Sequence, residues 1–226
     1  MEHSLTALEK AQVRIKLLQK KLRQKTKSLT RSQAEIVQRL SLAAEHRDPE
    51  TGDHIHRMSH YCYCLSIANR FSEKKSRLLL NASPMHDIGK LGVPDSVLLN
   101  PKELTADEWV IMKDHAAIGS RILSGSKSKL VQLGMVVAGT HHEKWDGSGY
   151  PKQLVGDSIP IWGRIAALAD VFDAMTTKRI YQNPVSTDKA FSYIKNQKGK
   201  HFDPELTDLF LTIKPEILEI KKRFPD

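Results

Sequence analysis

The chain has 226 residues, 40% of them apolar, which is enough core for one good-sized domain plus an appendage and too much for a chain disordered throughout. Its formal charge of +9 is concentrated near the start: residues 1–39 hold ten Lys/Arg against Glu2, Glu9 and Glu35, so the rest carries a surplus of only +2 and specific nucleic-acid binding is not expected. No run reaches the roughly 18 consecutive apolar residues of a membrane span, and Met1–Lys10 lacks the apolar core of a signal peptide, so a soluble cytoplasmic protein is expected. Cys62 and Cys64 lie one residue apart in an apolar stretch, a spacing that suits neither a long-range disulfide nor a thiolate zinc site.

From about residue 5 to 45 there is no Pro or Gly, and Leu8, Ile15, Leu22, Leu29 and Ile36 recur at every seventh position, one seam of a coiled coil. Leu18 and Leu40 support a second seam that Lys25 and Ser32 interrupt. Residues 1–40 are therefore expected to form a connector helix, able to pair with a second copy of the chain or to lie on its own domain, with the main domain at 41–226. Beyond residue 45 the pattern is helix after helix. Ser72 can cap a helix to about His86, and the capping box Thr105-Ala106-Asp107-Glu108 opens one to about Leu123. Helical periodicity continues over 128–143. Residues 144–162, with Gly147, Gly149, Pro151, Gly156 and Pro160, form the one long loop, and long loops in compact domains are often functional. Helices resume at about 163–176, 187–197, 205–212 and 215–222. No strand alternation is sustained, so the expected class is all-α: a helical bundle preceded by a long N-terminal helix of coiled-coil character.

Several of the ten histidines stand beside carboxylates or each other at ligand-like spacing. Glu50 and His54 are four apart and share a face if helical. His86-Asp87 and His141-His142 are adjacent pairs, which on a helix diverge by about 100° and would reach different ions or different sides of one. Asp170 lies in the apolar run Ile165–Val171, where an unpaired carboxylate would be expensive to bury and a cation would remove the expense. Imidazole with carboxylate and no thiolate suits iron, manganese or zinc, and a bridging carboxylate such as Asp87 could hold two ions in the arrangement that clamps a phosphodiester. Each feature alone is weak, since a lone buried His is more often a hydrogen-bonded core residue. Their ordered combination is much stronger.

The series Arg47-Asp48-Pro49-Glu50-Thr51-Gly52-Asp53-His54, His86-Asp87-Ile88-Gly89-Lys90, His115, and His141-His142 through Gly149-Tyr150-Pro151 resembles the HD-GYP family of the HD phosphohydrolase superfamily. Ala169–Ala174 and Gly199–Pro204 extend the resemblance, which covers roughly residues 35–215. It implies an HD-domain helical bundle and a phosphodiesterase that hydrolyses cyclic di-GMP to pGpG and/or GMP by means of a hydroxide activated by bound cations, in bacterial second-messenger signalling. It implies His54, His86, Asp87 and Asp170 as the basic ligand set, with His115, His141 and His142 completing the neighbouring position. Glu50 matches the extra carboxylate of members with three ions; if it only caps or pairs with Arg47 or Arg57, two ions remain. Fe(II) or Mn(II) is favoured, without excluding others.

Lys90 falls four residues after His86, so on a shared helix it would put an ammonium near the phosphate as a catalytic and substrate-binding group, the alternative being a surface lysine at a helix end, and the resemblance places Arg179 on the ligand phosphate. Gln182 departs from the family, many members of which have a lysine there. The Gly149-Tyr150-Pro151 loop is implied in substrate shape and partner contacts; the Tyr150 ring itself is expected to pack on the loop rather than on substrate, and Trp145 and Asp146 have the same two readings. His46, His56, His60 and His201 have no defensible ligand geometry. The basic N-terminal helix resembles the connector to a receiver or sensor domain, and a diguanylate cyclase domain is a further possible partner. The rival expectations are a hydrolase of another cyclic dinucleotide and a non-catalytic cyclic di-GMP sensor, the latter kept open by Gln182.

Overall fold

Thr6 starts the first helix by accepting a hydrogen bond from the Glu9 N–H at 3.3 Å while its own N–H donates to the Glu9 carboxylate at 2.7 Å, so two of the orphan donors at the helix start are satisfied reciprocally. Helix α1 then runs Ala7–Glu45, 39 residues without Gly or Pro. The computed structural model describes residues 6–47, 53–178 and 183–225. Glu50, Arg179 and Gln182 therefore lie outside the described residues. The chain divides after Ile36, within α1, into two compact units. In the first, Leu8, Ile15, Leu22, Leu29 and Ile36 are each at least 54% exposed, so the seam of the heptad pattern is uncovered. The second begins with the last turns of α1, where Val37, Ser41, Ala44 and Glu45 are buried.

The second unit is all-helical: α2 (Asp53–Ala68), α3 (Glu73–Ala82), α4 (Asp95–Leu98), α5 (Ala106–Lys113), α6 (His115–Ile122), α7 (Lys129–Ala138), α8 (Ile161–Thr176), α9 (Thr187–Asn196), α10 (Pro204–Thr212) and α11 (Lys214–Arg223). Among the described residues there is no strand, only an isolated bridge between Lys198 and Phe202. Helices α2 and α8 supply the centre of the core. Met58, Tyr61, Cys62 and Leu65 of α2 pack with Ile165, Leu168 and Phe172 of α8, and α3, α7, α9, α10 and α11 close around them through Leu79, Val137, Phe191, Phe210 and Ile217. Phe172 lies edge-on to Tyr61 at 5.4 Å and against Phe191 at 4.8 Å, aromatic contacts that add to the burial itself. Cys62 is buried and Cys64 partly so, both as free thiols.

Three helices expected to run through stop short, each just before a histidine. The one expected to reach His86 ends at Ala82, because Pro84 has no N–H for the α ladder and the chain tightens into a 3-10 turn, Ser83–Met85. The one expected over 105–123 breaks at Asp114 into α5 and α6. The one expected over 128–143 ends at Ala138. In each case the following imidazole takes a carbonyl near the helix end: His86 Nδ1 meets Ser83 O at 3.1 Å, His115 Nδ1 meets Met112 O at 2.8 Å, and His141 Nδ1 meets Ala138 O at 3.1 Å. Each carbonyl lies in the turn just before its histidine, where the α ladder stops. His86-Asp87 and His141-His142 therefore stand on turns, and Lys90 belongs to a separate 3-10 helix, Ile88–Gly92, rather than to a helix shared with His86.

Candidate metal centre

Seven of the eight expected ligands converge in two groups. Asp87, His115, His141 and His142 form one and His54, His86 and Asp170 the other, with the ligand-type atoms of each group within 4.8 Å of one another. Asp87 faces both: Oδ1 lies 3.2 Å from His115 Nε2 and 3.3 Å from His141 Nε2, and Oδ2 lies 3.4 Å from His86 Nε2. Lys90 Nζ stands 2.6 Å from the same Oδ2. Close backbone contact makes this possible. A Cβ on Gly89 would fall 1.9 Å from the His115 carbonyl oxygen, so the 3-10 helix carrying Lys90 can lie on α6 only with glycine there.

The donor set fits a cation on an argument about protons. His86, His115 and His141 commit Nδ1 to backbone carbonyls, and His54 commits Nδ1 to Asp173 Oδ2 at 2.8 Å. In each case Nδ1 carries the hydrogen and a neutral ring has a bare lone pair on Nε2. Those lone pairs point at one another, His54 to His86 at 3.4 Å and His115 to His141 at 3.5 Å, and at the Asp87 carboxylate. Asp87 Oδ1 is buried without a hydrogen bond. Acceptors facing acceptors in a buried pocket are unfavourable unless a positive ion lies between them.

Burial is the first influence on the titration of these groups. It pushes His86 down to about 4 and His142 well below the usual imidazole range. Burial would lower His141 as well, but the Asp87 carboxylate outweighs it and raises that ring. At Asp87 burial is opposed by the Lys90 ammonium, which with the surrounding imidazoles holds the carboxyl well below its ordinary value. At His86 and His142 the result is a neutral ring near an ionised carboxylate, the protonation state that ligands need, whereas at His141 a cation would have to displace the proton that Asp87 favours.

The loop from His142 to Leu154 is fixed by Glu143, whose carboxylate accepts the N–H groups of Lys152 at 2.7 Å and Leu154 at 3.0 Å. Gly147 adopts φ +84°, open mainly to glycine. A Cβ on Gly149 would strike the Lys144 nitrogen at 2.3 Å, so the loop folds back tightly there, and Tyr150 N donates to His142 O at 3.1 Å. The Tyr150 ring stacks on His142 at 4.6 Å, with Pro151 next to it. Burial raises the Tyr150 hydroxyl above its usual range and keeps it a neutral donor. Trp145 packs under the Arg164 guanidinium, which is held in turn by Asp203 at 2.7 Å. His56 and His60 pack on the Phe224 ring, away from either ligand group.

Four residues given no individual role by the sequence motifs shape the site: Asp173, Arg57, Glu143 and Glu45. Asp173 is fully buried; besides His54 it accepts from Arg57 Nε at 2.7 Å and Nη2 at 3.1 Å. Its advance signals were its place one turn after Asp170 on α8 and its membership of the run Ala169–Ala174 that extends the resemblance. Glu45, the last residue of α1, is 4% exposed and puts Oε1 3.9 Å from His54 Nε2.

A helical domain with His and Asp from separate turns gathered in this way defines the class, and the sequence pattern of the HD domain matches residues 14–206. The chain belongs to the HD domain family. It is 45% identical over 198 residues to the 3'3'-cGAMP-specific phosphodiesterase 2 of Vibrio cholerae, a match covering 88% of this chain and 38% of that protein. It is 44% identical over 192 residues to a cyclic di-GMP phosphodiesterase of Thermotoga maritima, covering 85% and 52%. The chain thus spans about half the length of these relatives or less. Among solved structures, a cyclic GMP-AMP specific phosphodiesterase of Vibrio cholerae superposes with a TM-score of 0.59 at 22% identity, over 85% of this chain and 54% of that one, a likeness of fold.

Proposed function

We propose that the chain is a metal-dependent phosphodiesterase that hydrolyses cyclic di-GMP to pGpG and/or GMP. The observation that carries this is the set of inward-facing Nε2 lone pairs around Asp87, with Lys90 beside it. His115, His141 and His142 with Asp87 would hold one cation, and His54, His86 and Asp170 with the other oxygen of Asp87 a second; Glu50 is proposed for a third. Fe(II) or Mn(II) suits such ligands. When bound, the cations supply Lewis acidity toward the phosphodiester and acidify water.

The protein's own groups do the rest. Asp173 and the three backbone carbonyls hold the imidazoles in one tautomer. Lys90 offers its charge to phosphate oxygens, and Arg179 is proposed to contact them too. The neutral Tyr150 hydroxyl is placed to donate a hydrogen bond from the Gly149-Tyr150-Pro151 loop. A mixed cyclic dinucleotide is the second reading, favoured by the 45% identity to a protein named for 3'3'-cGAMP. The exposed heptad seam of α1 supports a homodimer or a link to a receiver, sensor or diguanylate cyclase domain. No described helix is long and apolar enough to cross a membrane, and the proposed substrate places the chain in the cytoplasm.

The test is hydrolysis by anaerobically purified protein of cyclic di-GMP and 3'3'-cGAMP in parallel, with metal content measured on the same sample and a His86→Ala/Asp87→Ala double variant as control. Product that disappears in the variant supports the proposal, and the preferred dinucleotide chooses between the readings. A fully metallated protein that binds either dinucleotide without turnover is a sensor.

A further inference from the structure

Resting on the role proposed above for Lys90, we infer that Arg47 is a positioning residue for the reaction: it ties the end of α1 to the 3-10 helix Ile88–Gly92 and so holds the Lys90 ammonium in place at Asp87. The first argument is the shape of the contact. Arg47 Nη1 donates to Leu91 O at 2.8 Å and to Lys90 O at 3.4 Å, and Nη2 donates to Val93 O at 3.4 Å and to the Asp95 carboxylate. One planar guanidinium thus spans the carbonyls at the end of the 3-10 helix and the start of α4, a geometry that its rigid fork of donors suits and a single ammonium does not. A positive group there also meets the negative end of the peptide dipoles. The carbonyls carry the weight, because the Asp95 side chain is 72% exposed and an ion pair with so open a partner contributes little.

The second argument is what this helix needs from outside. A 3-10 helix of five residues has few internal bonds, so it takes its place from its neighbours. On one side α6 sets that place: a Cβ on Gly89 would strike the His115 carbonyl oxygen, and one on Gly92 would lie 2.8 Å from the Ile118 side chain. Arg47 holds the C-terminal end, beside the exposed Leu91. Water could satisfy a carbonyl there, but it could not tie that carbonyl to another part of the chain.

The third argument is the route back to α1. The Arg47 N–H donates to Ala44 O at 3.3 Å, and Ala44 is buried on the final turn of that helix. Arg47 is therefore anchored at both ends, its backbone on a packed helix turn and its side chain on the helix that carries Lys90. The Lys90 side chain is only 11% exposed where it meets Asp87 Oδ2 at 2.6 Å, which leaves little open space in which it could absorb a shift of its own backbone. The final turn of α1 and the ammonium at Asp87 are thus linked through one side chain.

Two readouts decide the matter, one of them independent of activity. Arg47→Met keeps the stem and removes the donors, and Arg47→Lys keeps the charge without the fork. In Arg47→Met, amide hydrogen exchange is expected to quicken at least about tenfold at Lys90 and Val93, whose N–H groups bond Asp87 O and Lys90 O, and to stay unchanged in α9 and α10. Hydrolysis of cyclic di-GMP by Mn²⁺-loaded protein is then read as a double-mutant cycle with Lys90→Ala. Arg47→Met alone is expected to lower kcat/KM about tenfold to a hundredfold, and Arg47→Lys less. Added to Lys90→Ala, Arg47→Met is expected to cost less than about twofold more. If Arg47→Met does not fold, Arg47→Lys carries both measurements. Unchanged exchange at Lys90 and Val93 overturns the tether. Faster exchange with losses that simply multiply in the double variant overturns the positioning role, because Arg47 would then act otherwise than through Lys90. A metallated wild-type chain that turns over neither cyclic di-GMP nor 3'3'-cGAMP overturns the proposed function and the positioning role together, and the exchange rates still support or overturn the tether.

Discussion

Asp173→Asn tests the support beneath the candidate metal centre. The carboxylate accepts from Arg57 Nε at 2.7 Å, Arg57 Nη2 at 3.1 Å, His54 Nδ1 at 2.8 Å and Thr177 Oγ1 at 3.3 Å, and neither side chain of its ion pair with Arg57 touches solvent. An amide offers one acceptor oxygen, and its NH₂ must confront either the guanidinium or the His54 N–H. Breaking a buried ion pair costs about 3–5 kcal/mol; Arg57 retains Phe224 O at 3.1 Å and Thr177 Oγ1 at 3.0 Å, which points to the lower end, about 3 kcal/mol.

The titration gives an independent figure. Burial alone would raise the Asp173 carboxyl, but the His54 bond and Arg57 bring it from 3.8 to about 2, a difference worth about 2–3 kcal/mol at 1.36 kcal/mol per unit. Because the folded-state value is depressed, this stability is fully present above about pH 4 and is lost as pH falls toward 2. Thermal melting in chelator at neutral pH should therefore show Asp173→Asn about 6–12 °C below wild type, at about 2–4 °C per kcal/mol for a unit of this size. The gap should narrow only in strong acid. A loss under about 1 kcal/mol at pH 7 would refute the assignment of Asp173 as the anchor of Arg57 and His54.

Gly163→Ala should destabilise the chain by about 1–3 kcal/mol in denaturant melts, since a Cβ there would lie 2.1 Å from Thr140 Oγ1 and 2.7 Å from Thr140 Cβ. Glu143→Gln should loosen residues 149–154, seen as faster amide exchange at Lys152 and Leu154, and should raise KM more than it lowers kcat. His201 is driven to about 4 chiefly by burial, so protonation favours the unfolded chain and stability falls as pH drops from about 6.5 toward 4; His201→Gln should lose less stability than wild type between pH 7.5 and 5 in chelator.

The capping box at Thr105 and the loop rich in Gly and Pro were legible because they are local: Thr105 and Glu108 bond each other, and Gly147 and Gly149 do in the loop what their lack of a side chain allows. The candidate ligand histidines were legible as a set because their spacing carries the resemblance. Where the helices stop was not. Hydrophobic periodicity runs on through Asp114 and Ala138, and what ends each helix involves an imidazole that takes an end carbonyl while it points into a pocket the sequence does not display. Arg57 and Asp173 are 116 positions apart, and their pairing exists only once α2 lies on α8.

Gly89 sits inside the run His86-Asp87-Ile88-Gly89-Lys90, where any residue invites a chemical reading, yet it has no side chain to offer a cation or a phosphate. Its contribution is clearance. With the His115 carbonyl oxygen 1.9 Å and the Gly119 nitrogen 2.5 Å from where a Cβ would sit, even alanine would force apart the two backbones that bring Asp87 to His115. A signature of this kind thus records two constraints in one string of letters, the side chains that converge and the empty volume that lets them meet, and a designer copying the first while relaxing the second would keep every side chain and still lose their convergence.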